Sequence, residues 1–412
     1  MKVAGIIAEY NPFHKGHAYH IEQTKRVTGA DSVVVVMSGN FTQRGTPAIV
    51  DKYARAKMAL LNGADVVIEL PSCYACGSAE YFADGAIALL DGLGTVDCIC
   101  FGTECGDINL LRPIAEFLAN EPEEFKIILQ EEMKNGHTYP QSRNTALAHC
   151  IPGFAEVENI IGSPNNILGI EYMKSIIRRK SRIVPYAIQR TGADYHSYRL
   201  ADNAFSSSMA LRQSVDLQGN LDLIRDQIPE NVYQILKEEF GSHCPIFPRD
   251  LSSMLKYKLL VEESHGYTSF VDITDDLSDR ILKNIYQSYD YEQLCEVLKS
   301  KNMTYARISR LLCHILLNLR KADMESYREN GTVFYARVLG FKDDERNVLS
   351  HIAKASTLPL ITQVSQWRSL TSECAQKQFE RDLLATHIYE SVAADKYGTR
   401  MRNEYERQIV KV

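Results

Sequence analysis

Short apolar runs alternate with amphipathic stretches over about the first 110 residues of the chain. Runs rich in valine, isoleucine or leucine predict four strands, at residues 3–9, 32–37, 66–70 and 96–101. Stretches with apolar residues at helical spacing predict three helices, at residues 16–28, 47–62 and 80–90. Pro47 suits the first turn of the second of these helices. Strands that alternate with helices favour an α/β fold with a Rossmann-like parallel sheet.

The pattern changes along the rest of the chain. Residues 107–150 and 167–178 are predicted to be helical, residues 183–188 to be a further strand, and a serine cluster caps a helix near residue 206. Beyond residue 216 the strand pattern fades. Helices are predicted there at residues 229–239, 250–263, 277–285, 291–298, 305–320, 344–353 and 372–396. We therefore expect an α/β domain over residues 1–215 and a mostly α-helical domain over residues 216–412.

Composition narrows the class of protein. The 412 residues carry a net charge of −6, which argues against a globally basic nucleic-acid coat but is compatible with a local basic patch. No apolar stretch approaches the roughly 20 residues that cross a bilayer. The amino terminus runs directly into a strand and is unlike a signal peptide. We expect a cytoplasmic protein without membrane contact.

The ten cysteines do not follow the spacing of a disulfide framework. Cys73 and Cys76 form a CxxC pair, but no second pair stands at zinc-ligand spacing. Cys98 and Cys100 alternate in a predicted strand, which places both on one face as small buried residues. The sequence predicts a reducing compartment and identifies no metal site.

The most informative motif is His14-Lys15-Gly16-His17, which lies between the first predicted strand and the first predicted helix. Nucleotide phosphates bind at this position in open α/β sheets, because the helix amino terminus presents unpaired N–H groups. Gly16 allows the backbone to approach a ligand, and the two imidazoles are candidates to donate hydrogen bonds to a phosphate. The chain has neither a P-loop nor a GxGxxG motif after this strand.

The motif resembles the HIGH signature of the nucleotidyltransferase superfamily, whose members attack the α-phosphate of a nucleotide on a Rossmann-like sheet. A second signature of that superfamily lies on a helix after the last core strand. Residues 207–212 (SSMALR) stand in that place, with Met209 where the superfamily has threonine.

Four segments together resemble the bacterial tRNA(Met) cytidine acetate ligase family over essentially the whole length. They are residues 7–17 (IAEYNPFHKGH), 37–45 (MSGNFTQRG), 101–104 (FGTE) and 163–168 (SPNNIL). The resemblance implies that acetate and ATP form acetyl-adenylate and pyrophosphate. The acetyl group then passes to N4 of the wobble cytidine of elongator tRNA(Met).

The resemblance also implies the site residues. The ATP site maps onto Ile7, Ala8, Glu9, Tyr10, Asn11, Pro12, Phe13, His14, Lys15, Gly16, His17, Ala18, Tyr19, His20, Gly102, Asn165, Arg190 and Thr191. We expect His14 and His17 to be the catalytic residues, bonding the developing phosphate charge, and Lys15, Arg190 and Arg212 to neutralise pyrophosphate. Gly102 leaves room for a base or ribose, and Asn165 is a candidate donor to adenine or a carboxylate. Mg²⁺ is expected on the β- and γ-phosphates.

Three basic runs are candidates for contact with tRNA. The candidate residues are Lys174, Arg178, Arg179 and Lys180 in the first run, Arg307 and Arg310 in the second, and Arg400 and Arg402 in the third. Each run is equally typical of a solvated surface.

Two other functions stay open at this point. One is a nucleotidyltransferase that moves AMP or CMP to a small phosphorylated metabolite, and the other is a non-catalytic RNA-binding protein. Asp65, Glu69, Glu104 and Asp107 lie near predicted strand ends, but they give only a weak indication of acid–base catalysis. A GxSxG nucleophile motif is absent from the sequence.

Overall fold

A computed structural model describes residues 1–151, 161–190, 205–344 and 347–412. Its centre is one eight-stranded sheet, seven strands of which run in the order β5-β4-β1-β2-β3-β6-β7. The strands are β1 (Val3–Ala8), β2 (Ser32–Ser38), β3 (Val66–Leu70), β4 (Cys98–Thr103), β5 (Val184–Gln189), β6 (Ala336–Phe341), β7 (Leu360–Ile361) and β8 (Val410–Lys411). The first five are mutually parallel, as the sequence predicts.

Helices cover this sheet and extend beyond it. In the first half they are α1 (Lys15–Thr28), α2 (Lys52–Leu61), α3 (Ser72–Ala75), α4 (Ala79–Gly92), α5 (Ile108–Asn120), α6 (Glu123–Lys134), α7 (Tyr139–Cys150), α8 (Pro164–Arg179) and α9 (Ser208–Gln218). In the second half they are α10 (Glu230–Glu239), α11 (Ser252–Glu262), α12 (Asp275–Asn284), α13 (Tyr291–Leu298), α14 (Tyr305–Leu316), α15 (Lys321–Asn330), α16 (Val348–Ala355) and α17 (Glu373–Tyr397).

The core lies on both faces of the sheet. Val34 and Val36 of β2 pack into one apolar cluster, whereas Val33 and Val35 pack into the other. Alternate residues of a strand point to opposite faces, so a strand that is apolar throughout is covered on both sides. The continuous valine run of β2 therefore required helices above and below it.

The second half of the chain differs from the sequence prediction in one important respect. β6 pairs antiparallel with β3, and β7 and β8 both pair with β6, so three strands from the mostly helical half extend the sheet. The sequence analysis missed β6 because Arg337 and Gly340 interrupt its apolar run and its partner β3 lies far away in the chain, and it missed β7 and β8 because each has only two residues. The boundary near residue 215 stays a prediction.

The helices predicted at residues 47–62 and 305–320 are among those whose bounds differ in the structure. Pro47 does not begin a helix, because residues 47–51 are not helical and Pro47 forms a bridge with Phe41. The helix begins at Lys52 instead, where the Asp51 side chain accepts the Ala54 N–H at 2.7 Å. The helix predicted at 305–320 ends at Leu316, and α15 follows it as a separate helix that the sequence analysis missed.

None of the helices that the structure describes combines the length and the apolar character required to cross a membrane.

Candidate active site

A cleft of about 240 Å³ opens at the carboxyl ends of β5, β4, β1 and β2. Parallel strands bring their carboxyl ends to the same edge of a sheet, so loops distant in sequence meet there. The described residues that line the cleft are Ile7, Ala8, Glu9, Tyr10, Asn11, His14, Gly16, His17, Tyr19, His20, Thr42, Gln43, Arg44, Phe82, Phe101, Gly102, Asn165, Leu168, Tyr172, Ile188, Gln189, Arg190, Phe205, Ser206, Ser207, Ser208, Met209 and Arg212.

His14 and His17 form the centre of the cleft floor. His14 caps α1, and its Nδ1 accepts the Gly16 N–H at 3.1 Å. The His14 N–H donates in turn to Nδ1 of His17 at 3.2 Å. A neutral imidazole whose Nδ1 accepts a hydrogen bond carries its proton on Nε2. Both rings are therefore arranged as Nε2–H donors.

The electrostatic environment keeps these imidazoles neutral. Burial, together with the positive charges of Arg190 and Arg212, lowers the pKa of His14 to about 3. Burial is also the main cause that lowers the pKa of His17 well below its usual value, with His14 the next contribution. Burial, then Arg190, lowers the pKa of His20 to about 4. At neutral pH the cleft thus presents uncharged donors beside fixed guanidinium charges.

Gly16 is required by the packing of the histidine. A Cβ atom at this position would lie 2.9 Å from Cε1 of His14 and 3.4 Å from Cβ of Phe205. The first distance is shorter than real Cβ contacts, so a side chain at residue 16 would displace the His14 ring.

Arg212 joins the second signature to the histidine motif. Its Nη1 donates to the carbonyl oxygen of Asn11 at 2.6 Å. Ser207 caps α9, since its hydroxyl accepts the Ala210 N–H at 3.1 Å. Met209, which stands where the superfamily has threonine, lines the cleft but offers no hydroxyl. Arg212 therefore holds the loop after β1 as well as contributing charge to the cleft.

The opposite wall of the cleft is formed by the loop after β4 and the start of α8. Hydrogen bonds in both directions hold these two segments together. The Glu104 carboxylate accepts the backbone N–H groups of Asn165 and Asn166, at 3.2 and 2.9 Å. The Asn166 side-chain oxygen accepts the Glu104 N–H at 2.9 Å. Glu104 thus fixes a loop and does not have the geometry of a free acid or base.

Asn165 links Glu104 to Arg190. Its amide nitrogen donates to Glu104 Oε1 at 2.6 Å, and its amide oxygen accepts from Arg190 Nη1 at 3.5 Å. The amide that the sequence analysis assigned to a ligand is thus engaged with Glu104. Gly102 serves the same wall, because a Cβ there would lie 3.0 Å from Cγ of Arg190. The missing side chain makes room for the arginine.

The glycine-bounded turn (residues 39–45) forms the side of the cleft nearest β2. The Gln43 N–H donates to Oε1 of Glu9 at 2.8 Å. Gly45 has a φ of +70°, and a Cβ there would lie 2.2 Å from Cα of Arg310 in α14. The hydroxyl of Tyr291 lies 2.9 Å from the Gly45 carbonyl oxygen and 2.7 Å from that of Ser309. The second half of the chain therefore fixes one side of the cleft.

Several residues assigned to the ATP site do not line the cleft. These residues are Pro12, Phe13, Lys15 and Ala18. Thr191, which was also assigned to the ATP site, lies outside the described residues. Phe13 is buried in the core, and Ala18 packs against it. The ammonium of Lys15 donates to the carbonyl oxygen of Asp226 at 2.6 Å. In this structure the Lys15 ammonium is therefore engaged outside the cleft, and its contact with pyrophosphate stays a prediction.

The sequence analysis also missed lining residues. Thr42, Gln43 and Arg44 lie in residues 37–45, a segment that the sequence analysis named for its resemblance to the family without assigning individual residues. Phe82, Phe101, Leu168 and Tyr172 also line the cleft. Phe101 and Leu168 lie in segments that carry the family resemblance, whereas nothing in the sequence separates Phe82 and Tyr172 from ordinary core residues.

The described residues contain no group of three or more His, Cys, Asp and Glu side chains placed to hold a metal ion. Glu9 is the only carboxylate among the described residues that line the cleft. This donor set fits a Mg²⁺ ion that reaches the cleft with a triphosphate, whose oxygens together with waters would supply its ligands.

The first basic run is largely tied to carboxylates. Lys174 is 7% exposed, and its ammonium lies 2.6 Å from Glu171 and 3.1 Å from Glu80. Its burial corrects the expectation that it contacts tRNA. Arg178 pairs with Glu80 and Glu121, and Arg179 pairs with Asp84. Lys180 is exposed.

Together, the other two basic runs also contain paired or partly buried cations and an exposed one. Arg402 bridges Asp51 and Glu239 at 2.9 and 2.7 Å, whereas Arg400 is 87% exposed. Arg307 and Arg310 are partly buried. Arg178, Lys180 and Arg400 are thus the exposed cations of the three candidate sets, and the contact of all three sets with tRNA stays a prediction.

Comparison with known proteins gives a consistent result along the whole chain. The family model described as HIGH Nucleotidyl Transferase matches residues 1–404. The tRNA(Met) cytidine acetate ligase of Clostridium novyi is 41% identical over 87% of this chain and 89% of that protein. The protein of the same name from Acetivibrio thermocellus is 38% identical over the full length of both.

Two solved structures share the fold. The apo form of Thermotoga maritima TmcAL superimposes with a TM-score of 0.93 at 31% identity, covering both chains completely. TmcAL from the same organism bound with alpha-thio ATP gives a TM-score of 0.91, again at 31% identity and with complete coverage.

Proposed function

We propose, from the premise that this chain belongs to the HIGH nucleotidyl transferase family, that it is an ATP-dependent ligase that joins acetate to a cytidine of tRNA(Met). The observation that carries the proposal is the pair of neutral Nε2–H donors at the turn from β1 into α1. Relatives named for this activity match the chain over nearly its whole length.

In the first step an acetate oxygen attacks the α-phosphate of ATP, and pyrophosphate leaves on the opposite side. Negative charge grows on the phosphate oxygens, and His14 and His17 donate to them through Nε2. Arg190 and Arg212 offset the charge of the departing pyrophosphate. Catalysis of this kind rests on placement and on prearranged donors rather than on covalent chemistry. Mg²⁺ supplies further charge neutralisation when it accompanies the nucleotide.

In the second step the N4 amine of the wobble cytidine attacks the acetyl carbonyl, and AMP leaves. The mixed anhydride provides the driving force, because an exocyclic cytosine amine is a poor nucleophile. The base must leave its stack to reach the cleft. The side of the cleft formed by the glycine-bounded turn borders α13 and α14, which supports the proposal that the mostly helical half of the chain receives the anticodon loop.

The proposal also includes the tRNA substrate and the cellular compartment in which the protein acts. The elongator tRNA(Met) is held mainly by the second half of the chain, with Arg400 of that half and Lys180, which follows α8, among its phosphate contacts. All ten cysteines are free thiols, which fits a reducing cytoplasm.

A single incubation tests the function. The protein is mixed with ATP, labelled acetate and unmodified tRNA(Met), and the wobble nucleoside is analysed by mass spectrometry. We expect acetylated cytidine that depends on ATP, together with AMP and pyrophosphate in equal amounts. Matched reactions omit ATP or use a tRNA lacking the wobble cytidine. Unlabelled RNA, or AMP retained on the product, would contradict the proposal, and the latter result would favour a nucleotidyltransferase.

A further inference from the structure

Glu9 occupies a distinctive place in the cleft. It follows β1 directly and lies between the histidine motif and the glycine-bounded turn. One carboxylate oxygen, Oε1, accepts the Gln43 N–H at 2.8 Å. The other oxygen, Oε2, has no hydrogen-bond partner among the residues that the structure describes. Oε2 of Glu9 thus has a lone pair available in the cleft, while the hydrogen bond to Oε1 fixes the position of the carboxylate.

The neighbouring backbone is held rigidly. The guanidinium of Arg55 is fully buried and donates to the carbonyl oxygens of Glu9 at 2.7 Å and of Ser38 at 3.0 Å. It also donates to the carbonyl oxygen of Gly39 and, through Nε, to that of Val50 at 3.0 Å. The ends of β1 and β2 are therefore fixed relative to each other, and Glu9 with them.

The other titratable groups of the cleft are poorly suited to accept a proton. Nδ1 of His14 and of His17 is already an acceptor for a backbone N–H, and Nε2 carries the proton. Nε2 of His20 is buried and has no hydrogen-bond partner among the residues that the structure describes. Burial raises the pKa of the Tyr10 hydroxyl, which stays protonated. Arg44, Arg190 and Arg212 are cations.

We propose that Glu9 is the general base of acetyl transfer, a role that rests on the function proposed above. The N4 amine attacks the acetyl carbonyl carbon, the N–C bond forms, and the bond between that carbon and the AMP oxygen breaks. AMP leaves with the electron pair of the broken bond. One N4 proton passes to Oε2 of Glu9 and from there to water. No oxidant, reductant or further reactant is needed.

Acetate activation requires no such proton transfer, because acetate reacts as its anion. The two steps should therefore respond differently when Glu9 is altered. A Glu9→Gln substitution keeps the acceptor for the Gln43 N–H but removes the basic oxygen. Glu9→Asp keeps a carboxylate on a shorter side chain.

The test uses the full-length protein and measures the steps separately. Acetate-dependent exchange between ATP and pyrophosphate reports activation, and single-turnover reaction of synthetic acetyl-adenylate with tRNA(Met) reports transfer. For Glu9→Gln we expect transfer to fall by about 10²-fold, the scale of general-base catalysis, and exchange to fall by less than tenfold. Glu9→Asp should restore part of the transfer rate.

Controls separate this inference from the proposed function. Glu22→Gln, on the exposed side of α1, removes the same charge outside the cleft and should leave both rates within twofold. Transfer by Glu9→Gln at the wild-type rate would overturn the role of Glu9, and so would an equal loss in both assays. If the wild-type protein fails to transfer acetyl from acetyl-adenylate, the proposed function fails instead.

Discussion

The imidazole rings of His14 and His17 are stacked, with their centroids 3.7 Å apart and 22° between their planes. Two charged imidazolium rings would repel at this distance, whereas two neutral rings do not. The burial that lowers both pKa values is therefore also what permits the stacking. The pair acts as a prearranged double donor, which costs no reorganisation when phosphate charge develops.

Removing either donor should impair activation selectively. His17→Ala is expected to lower acetate-dependent pyrophosphate exchange by about 10² to 10³, the effect of losing one prearranged donor. At His14 the alanine variant also removes the helix cap, which stabilises by about 1 kcal/mol. His14→Asn keeps a capping oxygen, so its activity should fall as in His14→Ala while its unfolding free energy stays closer to that of the wild type. Near-normal exchange in both His14 variants would contradict the assigned role.

The buried histidines should make stability depend on pH below neutrality. The pKa of His14 falls from 6.5 to about 3 on folding, so the unfolded chain binds the proton more readily. The free energy of unfolding should be highest above pH 6.5 and should decrease as the pH falls towards 3. His14 contributes a slope of up to about 1.4 kcal/mol per pH unit. Urea titrations between pH 7 and 5 should show a smaller slope for His14→Asn, and an identical slope would count against neutral burial.

Gly45 and Gly29 provide a matched pair for the role of the glycine-bounded turn. Both have positive φ, of +70° and +63°, but a Cβ on Gly29 meets nothing within 4 Å whereas one on Gly45 meets the backbone of α14. Gly29→Ala should cost about 1 kcal/mol for its backbone conformation alone. Gly45→Ala should cost more than about 3 kcal/mol, since backbone must also move. Chemical denaturation of both variants measures the difference, and equal losses would argue against the close packing.

The hydroxyl of Tyr291 should stabilise the contact between the glycine-bounded turn and α14. Its buried hydroxyl joins the carbonyl oxygens of Gly45 and Ser309, so Tyr291→Phe leaves buried polar groups with fewer partners. We expect a loss of about 1–3 kcal/mol in unfolding free energy. Tyr286, whose side chain is largely exposed, is the control. Tyr286→Phe should change stability by less than about 0.5 kcal/mol, and a similar effect at both positions would show that the hydroxyl bridge is unimportant.

Substitutions of Lys174 and Lys180 should have different effects on stability and tRNA binding, although both residues belong to the same basic run. Lys174→Met removes a buried cation from Glu171 and Glu80, leaving the Glu171 carboxylate with weaker compensation from Arg143 at 3.6 Å. We expect a loss of about 3 kcal/mol. Lys180→Met should alter stability by less than about 0.5 kcal/mol, and should weaken tRNA binding in a salt-dependent way. Thermal unfolding tests the first expectation, which a Lys174→Met variant of wild-type stability would contradict. Binding of tRNA at two salt concentrations tests the second, which unchanged binding by Lys180→Met would contradict.

The features of the fold and the site that the sequence predicted depend on residues close together in the chain. The first five strands and the turn from β1 into α1 follow from runs of valine and isoleucine and from the position of His14 to His17. Burial on both faces dictates such runs, and a helix amino terminus dictates the place of a phosphate site. Gly16 was likewise identified from its position, although the structure shows that it makes room for His14.

The sequence could not indicate which charges are free to act. Lys15 and Lys174 have the same residue type as any surface lysine, yet one ammonium bonds to a carbonyl oxygen and the other is buried between carboxylates. Nor could it reveal that β6 completes the sheet, because antiparallel pairing with β3 depends on residues about 270 positions apart. Such contacts depend on distances that one-dimensional spacing does not encode.

The sequence by itself determined the class of fold and the location of the histidine motif, because periodicity and turn chemistry act between near neighbours. Only the tertiary structure decided that α13 and α14 fix the glycine-bounded turn, that Glu104 binds a loop, and that Glu9 faces the cleft with an oxygen to spare. These arrangements arise when strand ends distant in sequence meet at one edge of the sheet, where packing decides which polar atoms are already paired.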